Sequence, residues 1–122
     1  MILGIGTDMI EIKRIEQACK RQRFLERVYT KKEQELYEGF PSKLAGNFAV
    51  KEAVVKVFGT GFRKIEPREI EVLRDEKGKP YINLYGNAKK KKEEIGITNI
   101  QVSITNTKQY AMSFVIGESK NL

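Results

Sequence analysis

Hydrophobic and polar positions divide this chain into segments of two periods. Met1 to Gly6 is a short apolar run with two glycines, read as a strand whose backbone another element approaches closely. From Glu11 to Val28 the period becomes helical. Ile12, Ile15, Ala18 and Cys19 share one side, while Lys13, Arg14, Gln17, Lys20 and Arg21 share another, with Arg23 and Arg27 beyond. Thr30 and Glu33 form a capping box before a short helix that runs to Tyr37. Gly39-Phe40-Pro41-Ser42 then breaks the chain, with Ser42 placed to cap a longer helix. Glu69 to Arg74 and Tyr81 to Tyr85 alternate as a hairpin around the turn Asp75 to Pro80. Asn87 is placed to cap a lysine-rich helix, Lys89 to Glu94, which Gly96 ends; its four consecutive lysines read as solubilising surface. Ile100 to Thr105 and Tyr110 to Ile116 predict a second hairpin around Asn106 to Gln109. The expectation is one domain over residues 1–122, α+β, an antiparallel β-sheet with helices packed on one side.

The segment from Phe48 to Phe58, closed by Gly59-Thr60-Gly61, departs from an ordinary amphipathic helix. At about 100° per residue, apolar residues fall on every side of it, and Lys51, Glu52 and Lys56 lie among them. A helix apolar all round is normally buried, and a buried charge is costly unless it is paired or binds an ion. The alternative for Glu52 and Lys56 is a surface pair one helical turn apart, worth a few tenths of a kcal/mol.

Composition narrows the chemistry. The chain has 122 residues, 40% hydrophobic and 32% charged, with a net charge of +7 that favours an anionic partner. Its single cysteine, Cys19, forms no intramolecular disulfide, and with no secretory or membrane-spanning pattern this points to a cytoplasmic, reducing setting. Histidine is absent, which removes histidine-based acid–base chemistry and most zinc sites. Metal ligation by carboxylates alone points to Mg²⁺, Mn²⁺ or Ca²⁺. Asp8, between the glycine-bearing strand and the first helix, fits either an N-cap or a carboxylate holding a cation against a phosphate. The basic face around Arg14 fits either solvation or docking of an acidic helix or a phosphate backbone, with Phe24 as an apolar anchor.

Gly4-Ile5-Gly6-Thr7-Asp8-Met9-Ile10-Glu11-Ile12 with Arg14-Ile15-Glu16, then Phe48-Ala49-Val50-Lys51-Glu52-Ala53 with Lys56 and Gly59-Thr60-Gly61, then Val102-Ser103-Ile104-Thr105, together resemble the small trimeric branch of the 4′-phosphopantetheinyl transferases, the holo-acyl-carrier-protein synthases. Tyr29 to Glu33 and Asp75 to Tyr81 are also similar to connecting segments of that family, so the match spans nearly the whole chain. The resemblance implies the 4′-phosphopantetheinyl transferase fold. It also implies Mg²⁺-dependent transfer of phosphopantetheine from coenzyme A to a serine of apo acyl carrier protein, as in fatty acid (lipid) biosynthesis, with release of adenosine 3′,5′-bisphosphate.

By the same resemblance Asp8, Glu52 and Lys56 are catalytic, with Asp8 and Glu52 as ligands of Mg²⁺ (or Mn²⁺). Asn47, Phe48, Lys56, Gly59, Thr60, Gly61, Asn106 and Thr107 match coenzyme A-binding positions, and Arg14, Arg21, Arg23 and Phe24 match the carrier-docking helix. A homotrimer with sites between subunits follows, with no nucleic acid and no membrane as partner. The serine proton goes to Glu52 or to a metal-bound water. In two places the chain departs from the family's usual residues: Asn47 stands where the family commonly has Arg, and Asn106 where it commonly has His. These losses shift the expected grip on coenzyme A toward Lys51, Lys56 and other basic residues. The rival reading from charge alone is a basic module that binds nucleic acid or an acidic protein without catalysis.

Overall fold

The computed structural model describes residues 1–120, so the last two residues of the expected domain lie outside it. Its longest helix, α4 (Pro41–Phe58), is buried on almost every side, as its all-round apolar sequence requires. Pro41 occupies the first helical turn, where a missing N–H costs nothing. The N-cap is Phe40 without a side-chain bond, so Ser42 lies inside the helix rather than capping it. Gly59 ends α4 at φ 74°, and the Gly59 and Thr60 N–H groups close the last turn on the Lys56 and Val55 carbonyls.

Around α4 stand two antiparallel sheets. β1 (Ile2–Glu11), β5 (Tyr110–Glu118) and β4 (Asn99–Asn106) form one, in the order β1-β5-β4. β2 (Ile70–Arg74) and β3 (Pro80–Leu84) form the other. Both expected hairpins are therefore present. α5 (Gly86–Ile95) follows β3, but its N-cap is Tyr85 and the Asn87 side chain instead donates to the Lys64 carbonyl.

The long basic helix expected from Glu11 to Val28 is two helices, α1 (Ile12–Ala18) and α2 (Gln22–Val28), and β1 runs on through Glu11 before them. The break at Cys19 to Arg21 lets the chain turn so that the half-buried Phe24 reaches Phe48 and Tyr29, with ring centroids 6.1 and 6.3 Å away. Phe24 is partly buried and packs against the cluster of Ile12, Ile15, Val28 and Leu44. α3 (Lys31–Tyr37) carries the expected capping box, Thr30 and Glu33 bonding reciprocally.

On the face of the three-stranded sheet turned toward α4, small residues let the backbones approach where β1 and β5 come closest to the helix. Gly4 and Gly6 on β1 lie against the α4 backbone, and a Cβ on Gly6 would fall 2.0 Å from the Ala53 carbonyl oxygen. Ser113 on β5 donates to the Ala49 carbonyl at 2.8 Å. The opposite face carries Met9, Met112 and Phe114, which are 60%, 45% and 43% exposed.

Candidate active site

Strand alternation continues from Gly4 and Gly6 to Asp8, which brings its carboxylate onto the side of β1 that faces α4. Asp8 lies within β1, opposite Ser113, so it is not a helix cap. On α4, Glu52 and Lys56 are one turn apart and reach the same place. The Lys56 ammonium donates to the Thr7 carbonyl at 2.8 Å and lies 3.6 Å from Asp8 Oδ1.

Of the three charges set among apolar residues, only Lys51 is fully buried. Its side chain has no exposure, pairs with Glu33 at 2.8 Å and also donates to the Pro67 and Ile70 carbonyls. It is closed off from any nucleotide, which corrects its expected share in gripping coenzyme A. Glu52 is half-buried, and the Lys56 side chain is 54% exposed because it extends past the edge of β1. Asn47 is corrected likewise. It has no solvent exposure, and its amide donates to Glu33 and to the Val72 carbonyl, both at 2.9 Å. Phe48 is half-buried against Phe24.

The electrostatics of the open cluster are distinctive. Burial pushes the Asp8 carboxyl above its ordinary value, with Lys56 opposing. Burial, and then the charge of Asp8, push Glu52 up as well. Two half-desolvated carboxylates that raise each other's cost of ionisation, with one partly exposed ammonium between them, are short of positive charge. The donors are all oxygen, and among the described residues no third acidic, histidine or cysteine side chain completes a closed cage. That arrangement fits an ion bound by two carboxylates and completed by water and substrate phosphate.

One turn beyond Lys56, Gly59, Thr60 and Gly61 border an open cavity of about 880 Å³. Arg63, Lys64, Lys90 and Lys91 also line it, with Asn87 and Glu94. The sequence pointed to the glycine loop and missed the four cations. Lys90 and Lys91 read as surface because nothing local shows that α5 turns that part of the lysine run toward the loop. Asn106 and Thr107 sit at the far end of β4 and in the following turn, separated from β1 by β5. They are not brought to Asp8 within one subunit. Arg14, Arg21 and Arg23 are exposed, the first on α1 and the others at the start of α2.

Comparison with known proteins agrees with this geometry. The 4′-phosphopantetheinyl transferase superfamily pattern matches residues 4–115. A protein of Lachnoclostridium phytofermentans named holo-[acyl-carrier-protein] synthase is 61% identical over 118 residues, 97% of each chain. The solved holo-[acyl-carrier-protein] synthase of Neisseria meningitidis superposes with a TM-score of 0.87 at 36% identity, over 98% of this chain and 100% of that one. The Bacillus anthracis enzyme, solved in complex with coenzyme A (3′,5′-ADP), gives 0.82 at 34% identity, over 98% and 99%.

Proposed function

On the premise that the chain belongs to the 4′-phosphopantetheinyl transferase superfamily, among the holo-acyl-carrier-protein synthases, we propose that it transfers the 4′-phosphopantetheine group of coenzyme A to a serine of apo acyl carrier protein. The observation that carries this reading is the meeting of Asp8, Glu52 and Lys56 beside a cavity lined with cations. In the reaction the serine oxygen bonds to the phosphorus that carries pantetheine. The bond from that phosphorus to the bridging oxygen breaks, and its electron pair leaves with adenosine 3′,5′-bisphosphate.

Such a transfer needs charge neutralisation and alignment more than covalent help from the protein. Lys56, held by the Thr7 carbonyl, offers its ammonium to the departing phosphate. The Gly59 to Gly61 loop and Lys64, Lys90 and Lys91 take the adenosine bisphosphate end of the substrate. Asp8 and Glu52 would hold Mg²⁺ or Mn²⁺, which supplies positive charge to the diphosphate when bound. The raised Glu52 carboxylate, or water beside it, receives the serine proton.

Exposed Arg14, Arg21 and Arg23 offer a basic surface to an acidic carrier. The outer sheet face with Met9, Met112 and Phe114 is the contact of a homotrimer, which covers apolar surface that a monomer leaves in water. The work is cytoplasmic and serves fatty acid biosynthesis. Mass spectrometry of apo acyl carrier protein incubated with the protein, coenzyme A and Mg²⁺ tests the proposal. A gain equal to one phosphopantetheine group is expected, and an unchanged carrier mass rejects it.

A further inference from the structure

The loop beside the large cavity makes three left-handed turns. Gly59, Gly61 and Lys64 have φ of 74°, 60° and 60°. No atom lies within 4 Å of where a Cβ would stand on either glycine, so conformation and not space asks for glycine there. Lys64 meets the same demand with a side chain attached. It is the one non-glycine residue of positive φ among the described residues. This conformation crowds Cβ against the carbonyl that follows it, a strain that persists only where the surroundings hold it.

Two features hold Lys64. Phe62 and Ile65 both pack on the core around α4, so the chain reverses over Arg63 and Lys64 between two fixed points. From α5, Asn87 Nδ2 donates to the Lys64 carbonyl at 2.7 Å. Asn87 is itself firmly placed. The next residue, Ala88, has no exposure, and its N–H donates to Glu69 Oε1 at 3.0 Å. The Tyr85 N–H donates to the Glu69 carbonyl at 2.9 Å. The start of α5 is thus anchored to the segment before β2, and Asn87 ties that anchor to the loop. Asn87 and Lys64 both line the cavity, together with Arg63, Lys90 and Lys91.

We propose that Asn87 is a positioning residue for the nucleotide end of coenzyme A: its bond to the Lys64 carbonyl holds Lys64 in the left-handed turn that presents its ammonium to the cavity. This rests on the transferase reading above. Without the bond Lys64 relaxes toward a negative φ, and the rotation carries its side chain away from the cavity wall. The bond joins two exposed residues, so it acts through the conformation it selects and not through burial. A loop fixed in its binding conformation beforehand gives up less freedom when the ligand arrives.

Calorimetric binding of adenosine 3′,5′-bisphosphate to the full chain, with steady-state kinetics on coenzyme A and apo carrier, tests this. Asn87→Ala is expected to weaken the nucleotide, and to raise the KM for coenzyme A, about three- to tenfold, the range of one hydrogen bond. The carrier KM stays within about twofold of wild type. Lys64→Gly removes the strain and the ammonium together. It is expected to weaken the nucleotide about threefold or more and to melt no lower than wild type, because glycine adopts a φ of 60° freely. The double variant Asn87→Ala/Lys64→Gly is expected to bind as Lys64→Gly alone does, since Asn87 then has no lysine to hold. Wild-type affinity in Asn87→Ala overturns the inference. So does an equal loss from Asn87→Ala in the Lys64→Gly background, which means that Asn87 touches the ligand itself. A Lys64→Gly protein that melts below wild type denies the strain and overturns it too. In each case the transferase reading stands, and only a wild-type protein that transfers no phosphopantetheine overturns that reading.

Discussion

The Lys51 ammonium lies 2.8 Å from Glu33 Oε1 with neither side chain exposed, one residue before the Glu52 that opens toward Asp8. Glu33 is held in turn by the Thr30 and Val72 N–H groups and by Asn47. This polar knot ties α3, α4 and β2 together and fixes the rotation of α4 about its axis. The site charges and the structural charges are therefore neighbours in sequence with opposite surroundings. Replacing Lys51 by Met leaves the Glu33 carboxylate buried without its cation, a loss of about 3–5 kcal/mol. The measurement is the urea midpoint, and a midpoint equal to wild type contradicts the structural assignment of Lys51.

Gly6 sets the distance between β1 and α4. Gly6→Ala drives a methyl group to within 2.0 Å of the Ala53 oxygen, and backbone on both sides has to move. A stability loss of about 1–3 kcal/mol is expected, with a larger proportional loss of transfer because Asp8 lies two residues along the displaced strand. Melting temperature and initial rate, measured on the same sample, check the pair. Full activity in Gly6→Ala excludes the close approach as the device that places Asp8.

Glu52 makes a pH-dependent prediction with a definite sign. Its carboxyl is raised in the folded protein, first by burial and then by Asp8, so the folded state holds that proton more tightly than the unfolded chain does. The stabilising contribution is complete below the ordinary glutamate value of 4.5 and is lost as pH rises through the raised value. Glu52→Gln has no charge to desolvate. Without divalent ions it is expected to melt higher than wild type at neutral pH, with the gap closing as pH falls toward 4.5. A thermal-melt series across pH decides the matter. A wild-type protein that melts at or above the variant at neutral pH contradicts the assigned environment.

Arg14, exposed on α1, tests the docking surface. Arg14→Glu is expected to raise the KM for the carrier about tenfold or more and to leave that for coenzyme A unchanged. A carrier KM equal to wild type removes Arg14 from the docking face.

How far the sequence foretold all this depended on the range of the interaction. The Thr30–Glu33 capping box, the turn of β2 and β3 and the glycine stop of α4 are set within a few residues, and each was legible. Gly4 and Gly6 were legible as a strand approached by another element, but Asp8 was placed after that strand, because the apolar pattern stops at Gly6 while the pairing with β5 runs on to Glu11. The fates of Lys51 and Lys56 were not, because both lie among apolar residues in sequence. Only the packing of α3 and β2 on one flank, and the open edge of β1 on the other, separates them. The break between α1 and α2 was hidden for the same reason, since the ring contacts of Phe24 with Tyr29 and Phe48 outweigh a continuous helical pattern. Asn47 was assigned outward by resemblance, whereas the demand of Glu33 for hydrogen bonds turned it inward.

The account depends most on Asp8 and Glu52 lacking positive charge that a divalent ion provides when the diphosphate arrives. Calorimetric titration of coenzyme A into the protein, with Mg²⁺ and then with EDTA, measures this directly. Wild type is expected to bind at least about tenfold more tightly with Mg²⁺, and Glu52→Gln is expected to show the weaker affinity in both buffers. Equal affinity of the wild-type protein in Mg²⁺ and in EDTA would contradict the account.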